Sequence, residues 1–172
     1  MKNEELQTLL NCPKVISEKP KKAFSVRQGS EHNDFKLISI DNNELNFRVF
    51  MRKNSKFSEN FSVGLEYIVK GLEDDIKLVR FNGVHKHINK IINDEKFETF
   101  HVHTVTQQAI EEGLKPESYA IITEEYKTFE EALILFWKRV NIQDDIHTYF
   151  PYLNDSKYPQ LKLIFEEKGR IK

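Results

Sequence analysis

Hydrophobic and polar residues alternate along the middle of the chain. The clearest stretch is LNFRVFMRK, in which Leu45, Phe47, Val49 and Met51 occupy one side of an extended strand. Further strands are predicted over FKLISI, FSVGLEYIV, IKLVRF and FETFHVH, with polar turns and a short return segment, NGVHKHINKIINDEK, between them. This pattern predicts an antiparallel meander of about five strands and not an alternation of strands and helices.

Helical periodicity replaces alternation after the last strand. Thr104 or Thr106 is a candidate N-cap for a helix that runs to about Glu112, and Gly113 is a plausible C-terminal stop. A longer helix, TFEEALILFWKRV, begins with a capping box and carries an apolar stripe. Another short helix is predicted over residues 3–10. The expected fold class is therefore α+β, with helices packed against one face of the sheet.

Length and local composition favour a single domain. A chain of 172 residues can bury a core without metal or disulfide staples. We predict an α+β domain over residues 1–142, with an N-terminal helix and the basic connector KVISEKPKKAF, followed by an aromatic-rich extension over residues 143–172. Cys12 is the only cysteine, which excludes an intramolecular disulfide and a cysteine-rich zinc site.

The charges nearly cancel. Lysine and arginine number 26 against 27 acidic residues, so the formal net charge is -1 and any binding to nucleic acid would depend on a local patch. The N-terminal residues lack the basic start and apolar run of a signal peptide, and no segment has the apolar length of a membrane span. These features predict a cytoplasmic protein that does not contact a membrane.

Two H-x-H pairs are the main candidates for chemistry. Strand parity in FETFHVH directs Val102 toward the helix-covered core and leaves His101 and His103 on the opposite face. A second pair, His85 and His87, comes shortly before that strand. If the return segment folds back beside the strand, four of the six histidines converge.

One interpretation is acid-base cleavage of RNA at these four histidines. An imidazole can remove the proton of a ribose 2′-hydroxyl while another protonates the leaving oxygen, and cations stabilise the phosphate. The helix that follows the last strand would offer backbone N–H groups to an anion. The candidates for substrate binding are Arg48, Arg52, Arg80, Asn82, Lys86 and Thr104, although IKLVRF allows two opposite orientations of Arg80.

Two other interpretations stay open. The pairs could bind zinc, manganese or iron, as H-x-H pairs do in cupins, but no acidic residue follows either pair at the cupin-like spacing. The histidines could also be structural residues of a half-exposed strand. The working hypothesis uses no metal and no other cofactor.

Several motifs resemble those of an uncharacterised bacterial domain family found on mobile elements and in firmicute genomes. They are RFNGVHKHIN, FHVHTVTQQAIEEGLKPESYA and YKTFEEALILFWKRVNI, together with NDF and NFSVGLEY further upstream. The resemblance covers about residues 5–142. The first histidine loop of that family reads N-G-P-H-G-x-H, whereas here Val84 replaces the proline and one residue fewer precedes His87.

A histidine-rich loop followed by an EEAL helix is also loosely similar to TumE-like toxins of toxin-antitoxin systems. This similarity implies a small endoribonuclease that acts as a toxin or in phage-host conflict, including anti-CRISPR cleavage of a guide RNA. RNA is then the expected partner, with an antitoxin or a CRISPR effector as a possible protein partner. The rival hypothesis is a non-enzymatic inhibitor that binds a host or phage defence protein. The sequence does not define the oligomeric state.

Overall fold

An antiparallel sheet forms the centre of the molecule, as shown by a computed structural model that describes residues 1–71, 75–90, 92–115 and 118–153. Its strands are β1 Lys14–Glu18, β2 Ser25–Arg27, β3 Ser30–Ser39, β4 Asn46–Asn54, β5 Phe61–Ile68, β6 Ile76–Asn89, β7 Glu95–Thr104 and β8 Tyr119–Ile122. The helices in these ranges are α1 Asn3–Asn11, α2 Gln107–Glu111, α3 Phe129–Arg139 and α4 Ile146–Tyr149. The strand order is β1-β3-β4-β5-β6-β7-β8, with β2 also paired to β3.

The α+β class and the antiparallel pairing agree with the prediction, but the described residues form a sheet of eight strands where about five were predicted. The predicted basic connector contains β1, and the short strands β2 and β8 were not predicted. IKLVRF and the first part of the return segment form one strand of 14 residues, β6. Hydrophobic and polar residues alternate only weakly in short strands and in strands rich in lysine or histidine. The reason is that the side chains of such strands are only partly buried.

Helix α3 packs against β5 and β6 and defines the inner face of the sheet. Phe47, Val49 and Met51 of β4 are fully buried, which confirms the predicted parity of that strand. The side chain of Thr128 accepts a hydrogen bond from the backbone N–H of Glu131, so the predicted N-cap of α3 is also present. The opposite side of the sheet is called the outer face below.

Helix α2 begins after Thr106, whose side chain accepts a hydrogen bond from the N–H of Ala109. Thr104, the other candidate cap, is the last residue of β7. The helix has only five residues, and the N–H of Gln107 donates to the side chain of Asn3. The N-terminus of α2 was predicted to bind an anion. Two of its backbone donors, the N–H groups of Gln107 and Ala109, instead bind side chains of the protein.

The first part of the predicted C-terminal extension packs on the domain. Phe150 and Leu153 are buried, and the ring of Phe150 contacts those of Phe35 and Trp137. Residues 154–172 lie outside the described residues, so the boundary predicted at residue 142 stays a prediction. None of the helices in the described ranges is long and apolar enough to cross a membrane.

Lys14 joins the ends of two helices inside the protein. Its side chain is fully buried, and its Nζ donates to the carbonyls of Leu10, Cys12 and Val140 at 2.9, 2.8 and 3.1 Å. The first two carbonyls belong to the C-terminal end of α1 and the third follows α3. One ammonium therefore satisfies carbonyl groups that helix termini leave without partners.

Replacing Lys14 with methionine is expected to lower the free energy of unfolding by about 3 kcal/mol, because two buried carbonyls and one partly buried carbonyl lose their charged donor. The measurement is urea denaturation followed by circular dichroism. The matched control is Lys36→Met, since Lys36 is half-exposed and forms a surface ion pair with Glu18. That change should cost less than about 1 kcal/mol. Equal losses in the two variants would contradict the role of Lys14.

Candidate histidine site

Four histidine side chains meet on the outer face, and they are called the histidine cluster below. The ring centroids of His101 and His103 are 4.9 Å apart. The ring of His85 lies 4.7 Å from that of His101, and the ring of His87 lies 4.5 Å from that of His103. The two H-x-H pairs therefore form one group, which His85 and His87 of β6 and His101 and His103 of β7 build together.

A β-bulge in β6 places both pairs on the same face. Asn82 pairs with His101, and the next pair is His85 with Thr99, so β6 has one residue more than β7 between these pairs. Regular alternation would have put His85 and His87 on the face opposite to Asn82. The extra residue reverses the parity and turns both histidines toward the outer face.

Contacts from the inner face and from a turn fix the bulge. The buried hydroxyl of Tyr126 lies within hydrogen-bonding distance of the carbonyl oxygens of Asn82 and His101, at 3.0 and 2.8 Å. Burial raises the pKa of this phenol, so it remains a donor. The N–H of Val84 donates to the carbonyl of Glu59 at 2.7 Å, which attaches the bulge to the turn between β4 and β5.

Beyond the bulge, the β6-β7 hairpin bends over the outer face. His87 is paired with Phe97, which is six residues from His103 along β7, a distance of about 20 Å in a straight strand. The rings of His87 and His103 nevertheless lie 4.5 Å apart. The bend covers the histidines of β7, and this explains why His101 and His103 are buried although they face away from α3.

Asn89 holds the bent hairpin against the edge strand. Its Nδ2 donates to the carbonyl of Ala120, and its Oδ1 accepts from the N–H of the same residue, at 2.9 and 3.0 Å. These two bonds fix the orientation of the amide. Because Oδ1 can only accept, Nε2 of His87 carries the proton in the 2.9 Å bond between them. The neutral His87 ring then has its lone pair on Nδ1.

His101 is held in one tautomer. Its Nδ1 donates to the carbonyl of Thr99 at 2.7 Å, so its Nε2 accepts from Nδ2 of Asn82 at 3.1 Å. Asn82 in turn accepts from the hydroxyl of Ser62 at 2.8 Å. Burial is the main cause that lowers the pKa of His101 to about 4. This side chain is therefore a neutral, fully engaged residue at the back of the cluster.

Burial also lowers the pKa of His85 and that of His87, and the positive charge of Arg80 acts in the same direction on both. His103 is buried, and its Nε2 lies 3.2 Å from Nη2 of Arg80. A guanidinium group can only donate, so this histidine nitrogen accepts. The cluster is a set of imidazoles next to a fixed cation.

A cleft of about 440 Å³ opens beside the cluster. His87 and His103 line it, whereas His85 and His101 do not belong to its lining. Among the residues that the structure describes, its lining is Arg80, His87, Ile88, Lys90, His103, Gly113, Leu114, Lys115 and Ser118. Three of these residues are cations, which makes the cleft suited to an anionic group such as a phosphate.

Four of the six predicted substrate-binding residues lie at or beside the cluster, in two groups. Arg80 and Asn82 contact the cluster directly. Arg48 and Arg52 lie on the same face in a neighbouring depression that Arg80 also lines, but Arg48 is paired with Glu66 at 2.6 Å and Arg52 is hydrogen-bonded to Asp34. These two arginines are therefore a charged surface next to the cleft and not part of its lining.

Lys86 and Thr104 are not brought to the cluster. Lys86 alternates with His85 and His87, so its exposed side chain points to the other face, where it is paired in register with Glu98. Thr104 follows His103 and therefore has the parity of the core-facing residues of β7.

Sequence reasoning did not identify Asn89, Ser62, Lys90 or Lys115 as part of the site. Asn89 carried a usable signal, because it is two residues after His87 and would share its face in a regular strand. Lys115 had no such signal, since it comes from the loop after α2 and reaches the cleft only through the packing of that loop.

The cluster also contains a possible set of metal ligands. One ring nitrogen from each of His85, His101 and His103 can be chosen so that all three lie within 4.8 Å of one another. Imidazole nitrogens are typical ligands for zinc and other transition metals.

Comparisons with known proteins add no family assignment. The chain matched no protein-family model, no curated protein and no solved structure.

Proposed function

We propose that this protein is an endoribonuclease that cleaves RNA by histidine acid-base catalysis without a metal ion. The observation that carries the proposal is the meeting of two histidine pairs beside Arg80, at a cleft whose other cations are Lys90 and Lys115. A ribonuclease of this kind needs a base, an acid and a cation within reach of one phosphate, and these side chains supply all three types.

His87 is the proposed general base. Its Nε2–H is held by Asn89, which leaves the lone pair on Nδ1, and its lowered pKa keeps the ring neutral near pH 7. In the proposed step, His87 removes the proton of a ribose 2′-hydroxyl, and the oxygen attacks the adjacent phosphorus. The bond from phosphorus to the 5′-oxygen of the next nucleotide breaks.

His103 is the proposed general acid. When a phosphate enters the cleft, Arg80 can transfer its N–H donors from His103 to the phosphate oxygens. The negative charge of the phosphate then favours a proton on His103, which passes to the leaving 5′-oxygen. The products are a 2′,3′-cyclic phosphate and a 5′-hydroxyl, and Lys90 and Lys115 would stabilise the charge on the phosphorus oxygens.

The resemblance to toxins of toxin-antitoxin systems supports a cytoplasmic role in phage-host conflict, with an RNA such as a guide RNA as target. A second candidate function is a non-enzymatic inhibitor of a defence protein. It is favoured by Ile121 and Ile122 of β8, the terminal strand of the described sheet, which are 55% and 49% exposed. An apolar edge strand can pair with a strand of another protein.

The proposal is tested with a 20-nucleotide RNA of randomised sequence, labelled at its 5′ end and incubated with the protein in EDTA. We expect shorter RNA products that end in a 2′,3′-cyclic phosphate. The matched control is the 2′-deoxy form of the same oligonucleotide, which should stay intact because it lacks the attacking hydroxyl. Cleavage of both oligonucleotides, or of neither, would contradict the mechanism, and the second outcome would favour the inhibitor.

A further inference from the structure

We propose that His85, His101 and His103 form a binding site for one divalent transition-metal ion, with zinc as the best fit to three imidazole ligands. The three histidines come from two strands, and the bulge in β6 is what brings them together. The site does not depend on the proposed ribonuclease activity, because metal binding needs only these side chains.

The ligand atoms of the three histidines lie close enough together to reach one ion. The three nitrogens lie within 4.8 Å of one another. Ligands at tetrahedral zinc are about 3.4 Å apart, as follows from zinc-nitrogen bonds of about 2.0–2.1 Å, so each nitrogen has to move by less than about 1 Å. Rotation of the imidazole rings can supply a movement of this size.

Two of the three rings also form hydrogen bonds with the protein backbone. His101 donates its Nδ1–H to the carbonyl of Thr99 at 2.7 Å, and His85 forms a hydrogen bond with the backbone of Gly83. Histidines that bind metals usually donate their other ring N–H in this way, which fixes the tautomer and points the lone pair at the ion. The backbone thus prepares both rings for a ligand role.

A third feature is that one of the three ligands, His103, lies in the lining of the cleft. The ring of His87 lies 4.5 Å from that of His103 and borders the open cleft. A zinc ion held by three histidines keeps one position for water or another ligand, and the cleft provides access to it.

Two neighbouring side chains, Asn82 and Arg80, weaken the binding of a metal ion at this site. Asn82 donates to Nε2 of His101, and Arg80 donates to Nε2 of His103, so a metal must replace one or both of these N–H groups. The positive charge of Arg80 also repels a divalent cation. Replacing Arg80 with glutamine should therefore strengthen zinc binding, whereas the proposed ribonuclease activity should fall in the same variant.

Zinc and the proposed acid-base reaction exclude each other, because both use His103. This consequence alone rests on the proposed function. If it holds, zinc slows RNA cleavage and EDTA restores it. If the protein does not cleave RNA at all, the metal site is still tested by direct binding.

The test is titration of the chelator-treated, full-length protein with zinc chloride, followed by competition with a chromogenic zinc chelator. We expect one ion per chain and an affinity that falls by about tenfold or more in His85→Ala and in His103→Ala. The matched controls are His32→Ala and His147→Ala, which remove the two histidines outside the cluster and should leave the affinity unchanged.

Circular dichroism identifies variants that do not fold, and His85→Ala is the decisive one because His85 is only half-buried. Absence of zinc binding by the folded wild-type protein would overturn the proposal. An affinity that is unchanged in folded His85→Ala, or that is lost in His32→Ala, would overturn it as well. Weaker zinc binding in Arg80→Gln would contradict the placement of the ion beside this guanidinium.

Discussion

Replacing His87 or His103 with alanine is expected to lower the rate of RNA cleavage by about 100-fold or more, which is the usual contribution of one general acid or base. Both side chains line the cleft, and each is proposed to move one proton in the reaction. The measurement is the initial rate on the labelled RNA in EDTA. A rate within about tenfold of wild type in both variants would rule out the proposed roles.

His101→Ala is expected to abolish cleavage for a different reason. His101 is fully buried and does not belong to the lining of the cleft, and both of its ring nitrogens are engaged by Thr99 and Asn82. Its loss should lower the free energy of unfolding together with the activity, because Asn82 and the Thr99 carbonyl lose a buried partner. In contrast, His87→Ala should reduce activity more than stability.

The matched controls are again His32→Ala and His147→Ala. They make the same chemical change at partly exposed positions on β3 and α4. Cleavage rates close to wild type in both controls would assign the losses to the histidine cluster and not to the removal of any histidine.

Gly83→Ala is expected to have the largest effect on folding, because Gly83 has no room for a methyl group. A Cβ at this position would lie 1.8 Å from the carbonyl oxygen of Glu59 and 2.9 Å from the ring of Phe61. The oxygen belongs to the backbone, and it also accepts the N–H of Val84 at 2.7 Å, so the two segments must separate. We expect a loss of about 3 kcal/mol or more in the free energy of unfolding.

If Gly83→Ala still folds, the bulge must have moved, and His85 and His87 should no longer meet His101 and His103. RNA cleavage and zinc binding should then both be lost in a folded protein. The control is Gly29→Asn, since a Cβ at Gly29 meets nothing within 4 Å and asparagine tolerates its positive φ of 77°. Denaturation curves that are alike for the two variants would contradict the packing described for the bulge.

The strands that were predicted best from the sequence are those with one buried face and one solvent-exposed face. In β4, Phe47, Val49 and Met51 alternate with polar residues, and the structure buries all three. Burial of one face gives the hydrophobic pattern a period of two residues in a strand and of about 3.6 residues in a helix. These strands and the amphipathic α3 could therefore be predicted directly from the sequence. The strands β1, β2 and β8 have no such period and are defined by their pairing, β1 with β3 across a long separation in sequence, β2 with β3 in a tight hairpin, and β8 with β7.

The candidate site was predictable only in part. The parity of β7 correctly placed Val102 in the hydrophobic core and His101 and His103 on the other face, because alternation is a local property of a strand, although the structure buries both histidines. The orientation of Arg80 could not be read, since two sets of apolar residues compete for the core in its strand. Only the pairing of Arg80 with His103 places it on the outer face.

The sequence by itself determined the α+β class, the dry side of the central strands and the two H-x-H pairs, because each depends on residues that are near one another in the chain. The tertiary structure decided that the pairs meet. Regular alternation applied through Asn82 would have put His85 on the wrong face, and the bulge at Gly83 reverses this parity. The bend that Asn89 secures then brings the two pairs together across the sheet, and such a bend depends on contacts between distant strands that no local pattern records.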